Sequence, residues 1–316
     1  MRIRKIYVKI KKDLFVEKGE SILEDIIAVP HVTQKILREF KISLRKGLGQ
    51  NFLINRGIID KIVLAGEINK EDNIIEIGPG IGSLTQAVLE KLGQGKLFAI
   101  EKDDRLVRVL QKIINSEKLV LINKDVLDIE WEAFFTEHRL NNKSVKLMAN
   151  LPYYITTPII MGLLEARVPI DKYVFMVQKE VAERMAAKPG RKDYGALSIA
   201  VQYYSSPEII QVIPPDVFVP QPDVYSAVIK LERNEEPPVE LEDEDFFFQV
   251  VRAIFQQRRK NIKNALSKAA NITIDKNIVL ESLEELGIDQ NIRGEKLDLV
   301  KIGILSNLLY QKQIIY

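Results

Sequence analysis

The sequence predicts a doubly wound, Rossmann-like α/β sheet followed by a small all-α C-terminal domain, on three observations. From about Asn73, short β-rich runs alternate with segments whose apolar residues recur every three or four positions. A glycine-rich turn, "EIGPGIGS", joins the first such run to the first such segment. After the Pro- and acid-rich stretch "RNEEPPVELEDED" the β pattern stops and only helical periodicity remains.

In chain order, "NIIEIG", "KLFAIE", "LVLINKD", "KLMANL", "KYVFMV" and "SAVIKLE" read as strands. "SLTQAVLEKLG", "DRLVRVLQKII" and "PIIMGLLEA" read as the helices between them. The segment "YSSPEIIQVIPPDVFVPQPDVYSAVIKLE" lacks strong helices between its apolar runs, which fits an antiparallel pair at the sheet edge. Beyond it, "FFFQVVRAIFQQRRKNIKNALSKAA", "NIVLESLEELG" and "LDLVKIGILSNLLYQK" read as helical. Ahead of the sheet, "VTQKILREF" reads as a helix leading to the loop "RKGLGQNFL". The expected organisation is an N-terminal extension over residues 1–27, an α/β domain over 28–235 and a small helical domain over 236–316.

Composition narrows the chemistry. With 316 residues, 46% hydrophobic and 28% charged, the chain reads as globular, and no apolar run is long enough to span a bilayer. The basic start "MRIRKIYVKIKKD" lacks the apolar core of a signal peptide, so a cytoplasmic location and no membrane partner are expected. There are no cysteines, which excludes disulfides, thiolate metal sites and a cysteine nucleophile. The two histidines, His31 and His138, stand apart from other ligand types and read as surface residues, so no metal site is expected. A formal charge of +2 announces no nucleic-acid binder, so any such surface must come from local segregation of charge.

The strand ends carry the candidate site. Gly78, Gly80 and Gly82 form a strand-to-helix turn that suits a nucleotide-type ligand or a purely structural bend. The G-x-G-x-G spacing departs from the dinucleotide fingerprint G-x-G-x-x-G and argues against a bound pyrophosphate. Glu101 ends the second strand about 20 residues past the glycines, the spacing of an acid that accepts from ribose hydroxyls. Asp125, after the third strand, can accept from an adenine amino group or serve as a turn aspartate. Together these residues describe a pocket for an adenosine-containing molecule at the carboxyl edge of the sheet.

The fourth strand ends in Asn150-Leu151-Pro152-Tyr153, where Pro152 cannot continue a central strand. The lone pair of an aryl amine is delocalised into its ring, so the amine is a poor nucleophile. Two acceptors aimed at its N–H bonds, the Asn150 amide oxygen and a carbonyl from Leu151 or Pro152, favour a pyramidal nitrogen and need no histidine. Tyr153 offers a ring on which an extruded base can stack.

These motifs, with "GLGQNFL", "ANLPYYITTPII", "VQKEVAERMAAKPGRKDYGALSIAVQYY", "VFVPQPDVYSAVIKL" and "FFQVVRAIFQQRRKNIKNAL", resemble the bacterial small-subunit (16S) ribosomal RNA adenine N6,N6-dimethyltransferase (KsgA) family. The resemblance runs from about Ile27 to the C-terminus. It implies a methyltransferase sheet that takes methyl groups from S-adenosylmethionine (SAM). The acceptors are two adjacent adenosines in the hairpin near the 3′ end of 16S rRNA, each receiving two methyls. It further implies that Asn51, Leu53, Gly78 and Gly80 contact SAM, with Glu101 on the ribose, Asp125 on the adenine and Asn150 beside the methyl. Tyr153 would stack on the target base, and Phe218 is either a second aromatic wall or a buried strand-end residue. The family usually has Asp where Tyr225 stands, and its pattern has no counterpart for the first 26 or so residues.

Two basic clusters complete the reading. Lys179, Arg184, Lys188, Arg191 and Lys192 surround one loop, and Arg258, Arg259, Lys260 and Lys263 lie in "QQRRKNIKNAL". They are read as lacking matching acids nearby, whereas acids concentrate in the linker, as fits a phosphate-contacting surface. The expected partner is 16S rRNA in the small ribosomal subunit or its precursor, met by a monomer. The rivals are a 23S rRNA adenine methyltransferase of the macrolide-resistance type, a non-catalytic RNA-binding assembly factor, and an NAD-dependent dehydrogenase. The intact Asn150-to-Tyr153 motif argues against lost chemistry, and the glycine register and missing Tyr-x-x-x-Lys pair argue against NAD.

Overall fold

A computed structural model of the chain describes residues 25–43 and 49–315. The basic N-terminal arm, with Gly47 and Leu48 of the "GLGQNFL" loop, lies outside the described residues. The strands are β1 (Phe52–Leu53), β2 (Asn73–Ile77), β3 (Leu97–Glu101), β4 (Leu119–Asn123), β5 (Val145–Asn150), β6 (Lys172–Gln178), β7 (Ser205–Ile213), β8 (Phe218–Val219) and β9 (Ser226–Arg233). Seven of them form one sheet in the order β4-β3-β2-β5-β6-β9-β7, parallel from β4 to β6 and antiparallel on both sides of β9. The antiparallel pair expected at the edge is β7 with β9. β1 and β8 form a separate two-stranded ribbon, with Leu53 opposite Phe218.

The helices of the α/β part are α1 (Pro30–Glu39), α2 (Arg56–Ala65), α3 (Ser83–Lys91), α4 (Asp104–Ile113), α5 (Trp131–Glu137), α6 (Thr156–Glu165), α7 (Lys179–Met185) and α8 (Ala196–Tyr204). The period-two alternation of the strands sends Ile75, Ile77, Phe98 and Leu147 to the face covered by α5 and α6. Ile74, Met148 and Val174 go to the opposite face, under Ile59 and Ile62 of α2 and Leu84 and Val88 of α3. His138 is not on the surface as expected: it is half-buried, with ring centroids 4.9 Å from Phe98 and 4.6 Å from Phe134.

The C-terminal region comprises α9 (Glu244–Gln256), α10 (Ile262–Ser267), α11 (Lys276–Glu285) and α12 (Leu299–Ile315). Its apolar core also takes in Tyr194, Ile199 and Tyr203, on and just before α8. The segment "FFFQVVRAIFQQRRKNIKNAL", read as helical, forms two helices. Three successive cations, Arg258, Arg259 and Lys260, lie on the turn between α9 and α10, and Asn261 starts the second helix by accepting from the Asn264 N–H at 3.1 Å.

At the amino edge of the sheet two lysines point inward, Lys146 on β5 and Lys172 on β6, each 6% exposed. Lys146 Nζ meets Asp72 Oδ2 at 2.6 Å and donates to the Glu67 carbonyl, while Lys172 Nζ meets Glu67 Oε2 at 2.7 Å and Glu232 Oε1 at 2.9 Å. Removing one member of a buried pair strands the other charge, at about 3–5 kcal/mol. Asp72→Ala should therefore lower the unfolding free energy by about 3 kcal/mol in urea denaturation, and adding Lys146→Met should restore most of it. A loss unaffected by the second substitution would contradict this account.

Candidate active site

Chain order decides where the cleft lies. From β2 the chain winds outward one way through β3 and β4, then returns to lay β5 on the other side of β2. The crevice outside the carboxyl ends of β2 and β5 is thus the switch point of the sheet, where open α/β sheets take ligands. Ile77 pairs with Ala149, so Gly78 and Asn150 leave the sheet level with each other. A cleft of about 1090 Å³, counted to its open mouth, lies there. Its lining includes Asn51, Leu53, Gly78, Gly80, Glu101, Asp125, Asn150, Leu151, Pro152 and Tyr153.

Each wall has a local cause. Gly78, Gly80 and Gly82 all have left-handed φ values, +65°, +62° and +92°, which side chains resist. A Cβ on Gly80 would sit 2.9 Å from the Phe52 ring, and one on Gly82 would sit 2.6 Å from Ile114. Phe52 is held over the loop by the β1–β8 ribbon and by packing with Ile27, Ile36 and Ile81. Glu101, 8% exposed, accepts from the Asp103 N–H at 2.9 Å and the Gly80 N–H at 3.2 Å. Burial pushes its carboxyl above the ordinary range against the pull of those two donors. Asp103 caps α4 and pairs with Arg105, whose guanidinium holds the Asp103 carboxyl down at about 2.

Asp125 accepts from the Leu127 N–H at 3.1 Å and pairs with Lys102, which also lines the cleft. Burial would raise its carboxyl, but Lys102 and that N–H outweigh it and hold it low. Asn150 Nδ2 donates to the Asn51 carbonyl at 2.9 Å. A carbonyl can only accept, so this bond settles which end of the amide is which and leaves Oδ1 as the free acceptor. The Pro152 carbonyl already accepts from the Ile155 N–H at 3.2 Å and Thr156 Oγ1 at 3.0 Å. Of the two carbonyls read from sequence, that of Pro152 is therefore already engaged by the turn that follows it.

Other residues stand apart from the cleft. Phe218, 2% exposed, packs in the core with Leu53, which corrects the second aromatic wall to the buried strand-end reading. The further exposed ring at the cleft is Tyr154, 55% exposed and packed against Gly49. Tyr225 is exposed, and its carbonyl accepts the Lys179 N–H at 2.9 Å. The two basic clusters meet, because Arg258 donates to the Lys192 carbonyl and the Gly190 N–H donates to the Glu295 carbonyl. Arg184, Arg191, Lys192, Arg259 and Lys260 are exposed. The absence of nearby acids is corrected: Lys179 faces Glu183 at 3.5 Å and Arg258 faces Glu295 at 3.3 Å, while Lys263 donates to Gln290. Lys296, exposed beside Gly190, belongs to the same surface and was not picked out from sequence.

The sequence reading also passed over Glu76, in the middle of β2. It is 1% exposed, lines the cleft, and its Oε2 has no hydrogen-bond partner among the described residues; nor has Ser83 Oγ, at the start of α3. The available signal was a lone acid inside the apolar run "NIIEIG". Burial, with the charge of Glu101 adding to it, pushes the Glu76 carboxyl from an ordinary 4.5 up to about 8. Between those values the native state keeps a proton that the unfolded chain has released, so stability falls as pH rises through that window. Glu76→Gln cannot ionise, and its melting temperature in cofactor-free protein should gain on wild type between about pH 5 and pH 8.5. A gap that stays constant over that range would contradict the burial account.

The family model described as ribosomal RNA adenine dimethylase matches residues 41–298. A ribosomal RNA small subunit methyltransferase A from Halothermothrix orenii is 53% identical over 291 residues, covering 92% of this chain and 96% of that relative. Among solved structures, a dimethyladenosine transferase from Plasmodium falciparum superposes with a TM-score of 0.67 at 27% identity, over 80% of this chain and 95% of that one. The 23S rRNA methyltransferase ErmE superposes at 0.63 with 23% identity, over 83% of this chain and all of that one, a likeness of fold. The family match spans the glycine turn, the two strand-end carboxylates and the strand-end amide, and the basic turn alike, and on that breadth the chain belongs to the ribosomal RNA adenine dimethylase family.

Proposed function

We propose that this protein transfers methyl groups from SAM to N6 of two adjacent adenosines near the 3′ end of 16S rRNA, dimethylating each. The observation that carries the proposal is the Asn150 amide, pinned through its nitrogen to the Asn51 carbonyl with its oxygen left to accept. The cleft fits the cofactor on its own chemistry. Unpartnered Glu76 Oε2 and Ser83 Oγ in its wall call for a polar, cationic ligand group, and the left-handed glycines let backbone approach it. We assign Asn51, Leu53, Gly78, Gly80 and Glu76 to the amino-acid end and glycine turn, Glu101 to the ribose and Asp125 to the adenine. When bound, SAM supplies an electrophilic methyl group on its sulfonium.

The rest is done by the chain. Asn150 Oδ1 and the Leu151 carbonyl accept the two N–H bonds of the target amine, which localises its lone pair toward the methyl. Tyr153 stacks on the extruded base and holds its plane. Acceleration comes from positioning and fixed dipoles. Arg184, Arg191, Lys192, Arg258, Arg259, Lys260 and Lys263, with Lys179 and Lys296 at the margin, contact the RNA backbone. We place the reaction on the small subunit or its precursor, in the cytoplasm, carried out by a monomer. Among the described residues no helix is long and apolar enough to cross a membrane.

A 23S rRNA substrate is the second reading because ErmE shares the fold, but the relative named for the small subunit is far more similar. The deciding experiment offers undermethylated small subunits and 23S rRNA side by side, with primer extension locating the dimethyladenosine stops. Modification of 23S rRNA alone would overturn the proposal. Asn150→Ala should lower kcat about 100-fold or more with the fold intact. Activity within a few fold of wild type would remove Asn150 from its role. Arg259→Ala should raise KM for the particle and reduce the salt dependence of binding by about one counterion. An unchanged salt slope would place the RNA elsewhere.

A further inference from the structure

Ser226 opens β9 and is fully buried. Its backbone is fixed from both sides, opposite Gln178 on β6 and Ile213 on β7. Its hydroxyl reaches across to the Tyr153 hydroxyl, oxygen to oxygen 2.5 Å, although the residues are 73 apart in sequence. Tyr153 itself sits on a single turn, Tyr153–Ile155, at the lip of the cleft, and is half-buried. A tyrosine ring swings on two torsions, so fixing its Cα alone leaves the plane of the ring undefined. A second anchor at the far end of the ring defines it.

We propose that Ser226 is a positioning residue for methyl transfer, setting the orientation of the Tyr153 ring through the hydroxyl–hydroxyl bond. The inference rests on the reading of Tyr153 as the platform for the target base. Packing alone does not ask for a hydroxyl at this position. The neighbouring residues of β9, Ala227, Val228 and Ile229, are all apolar and fully buried, and a buried serine needs a partner that alanine would not. The anchor is also well placed to relay position. Tyr225, directly before Ser226, accepts the N–H of Lys179 at the start of α7, the helix that carries Lys179 and Arg184. The same two-residue segment therefore holds the base platform on one side and the basic surface on the other.

Ser226→Ala and Tyr153→Phe delete the same bond from its two ends while keeping the ring. Each should lower kcat on undermethylated small subunits about three- to tenfold, the range of one net hydrogen bond, with SAM affinity by calorimetry unchanged. The double variant should be no slower than either single one, because the second substitution has nothing left to remove. A merely structural serine would instead lower the melting temperature and SAM affinity and combine additively with Tyr153→Phe. Wild-type kcat in Tyr153→Phe, while Tyr153→Ala is strongly impaired, would overturn the role of Ser226 and leave the platform standing. Wild-type kcat in Tyr153→Ala would overturn the platform and the inference with it. If Ser226→Ala does not fold, Tyr153→Phe still decides, because its truncation lies at the half-buried lip.

Discussion

The hydrogen bond from the Asn150 side chain to the Asn51 carbonyl is the constraint on which the site depends. It ties the end of a central strand to the strap that carries Phe52 and Leu53. The strap in turn is held by the β1–β8 ribbon and by Phe52 packing against Ile27, Ile36 and Ile81. Phe52 is why residue 80 has no room for a side chain. One amide thus fixes the distance between this strap and the end of β5, and it does so with its own oxygen left over. A Gln in place of Asn150 would keep both functional groups and lose their spacing.

No histidine or thiol lines the cleft among the described residues, so its ionisable groups are carboxylates, lysines and tyrosines. Glu76, Glu101, Asp103 and Asp125 crowd one sheet edge, and each is handled differently. Arg105 neutralises Asp103, Lys102 meets Asp125, backbone N–H groups hold Glu101, and Glu76, with hydrogen bonds from Thr85 but no cation to oppose its burial, is pushed toward its neutral form. A cationic ligand entering between them would reverse that push, since an opposite charge within a few ångströms favours the ionised carboxylate. Stability of the empty site and affinity for a cation are therefore opposed at Glu76.

Much of this was legible in the sequence, and the parts that were not share a cause. The strands were readable from their apolar runs and the helices α3, α4 and α6 from their spacing, because burial on a sheet or a helix face repeats with a fixed period. Gly78, Glu101, Asp125 and Asn150 could be placed on one edge because each ends a strand, and parallel strands end together. α5 was missed: its seven residues bury Trp131, Phe134 and Phe135, aromatic residues with little helical preference of their own. The choice between the Leu151 and Pro152 carbonyls depended on which backbone groups the following turn had already used. Phe218 and Ser226 depended on partners far away in sequence, Leu53 for one and Tyr153 for the other. Periodicity carries no information about such pairs.

The two edges of the sheet divide the work. At the amino edge, Lys146, Lys172 and Lys230 are satisfied by Asp72, Glu67, Glu232 and Glu208, so every buried charge there has found an opposite. At the carboxyl edge the pairing is left incomplete, and the leftover acceptors and the half-anchored tyrosine face the cleft. The same residue types give a sealed network on one side and a reactive one on the other. The difference lies in chain direction. Parallel strands bring their carboxyl ends and the following turns to a single side, so loops can vary there without disturbing the ladder that the lysines close off below. The basic turn between α9 and α10 lies outside that sheet, where three adjacent cations on a turn need not share a helix face.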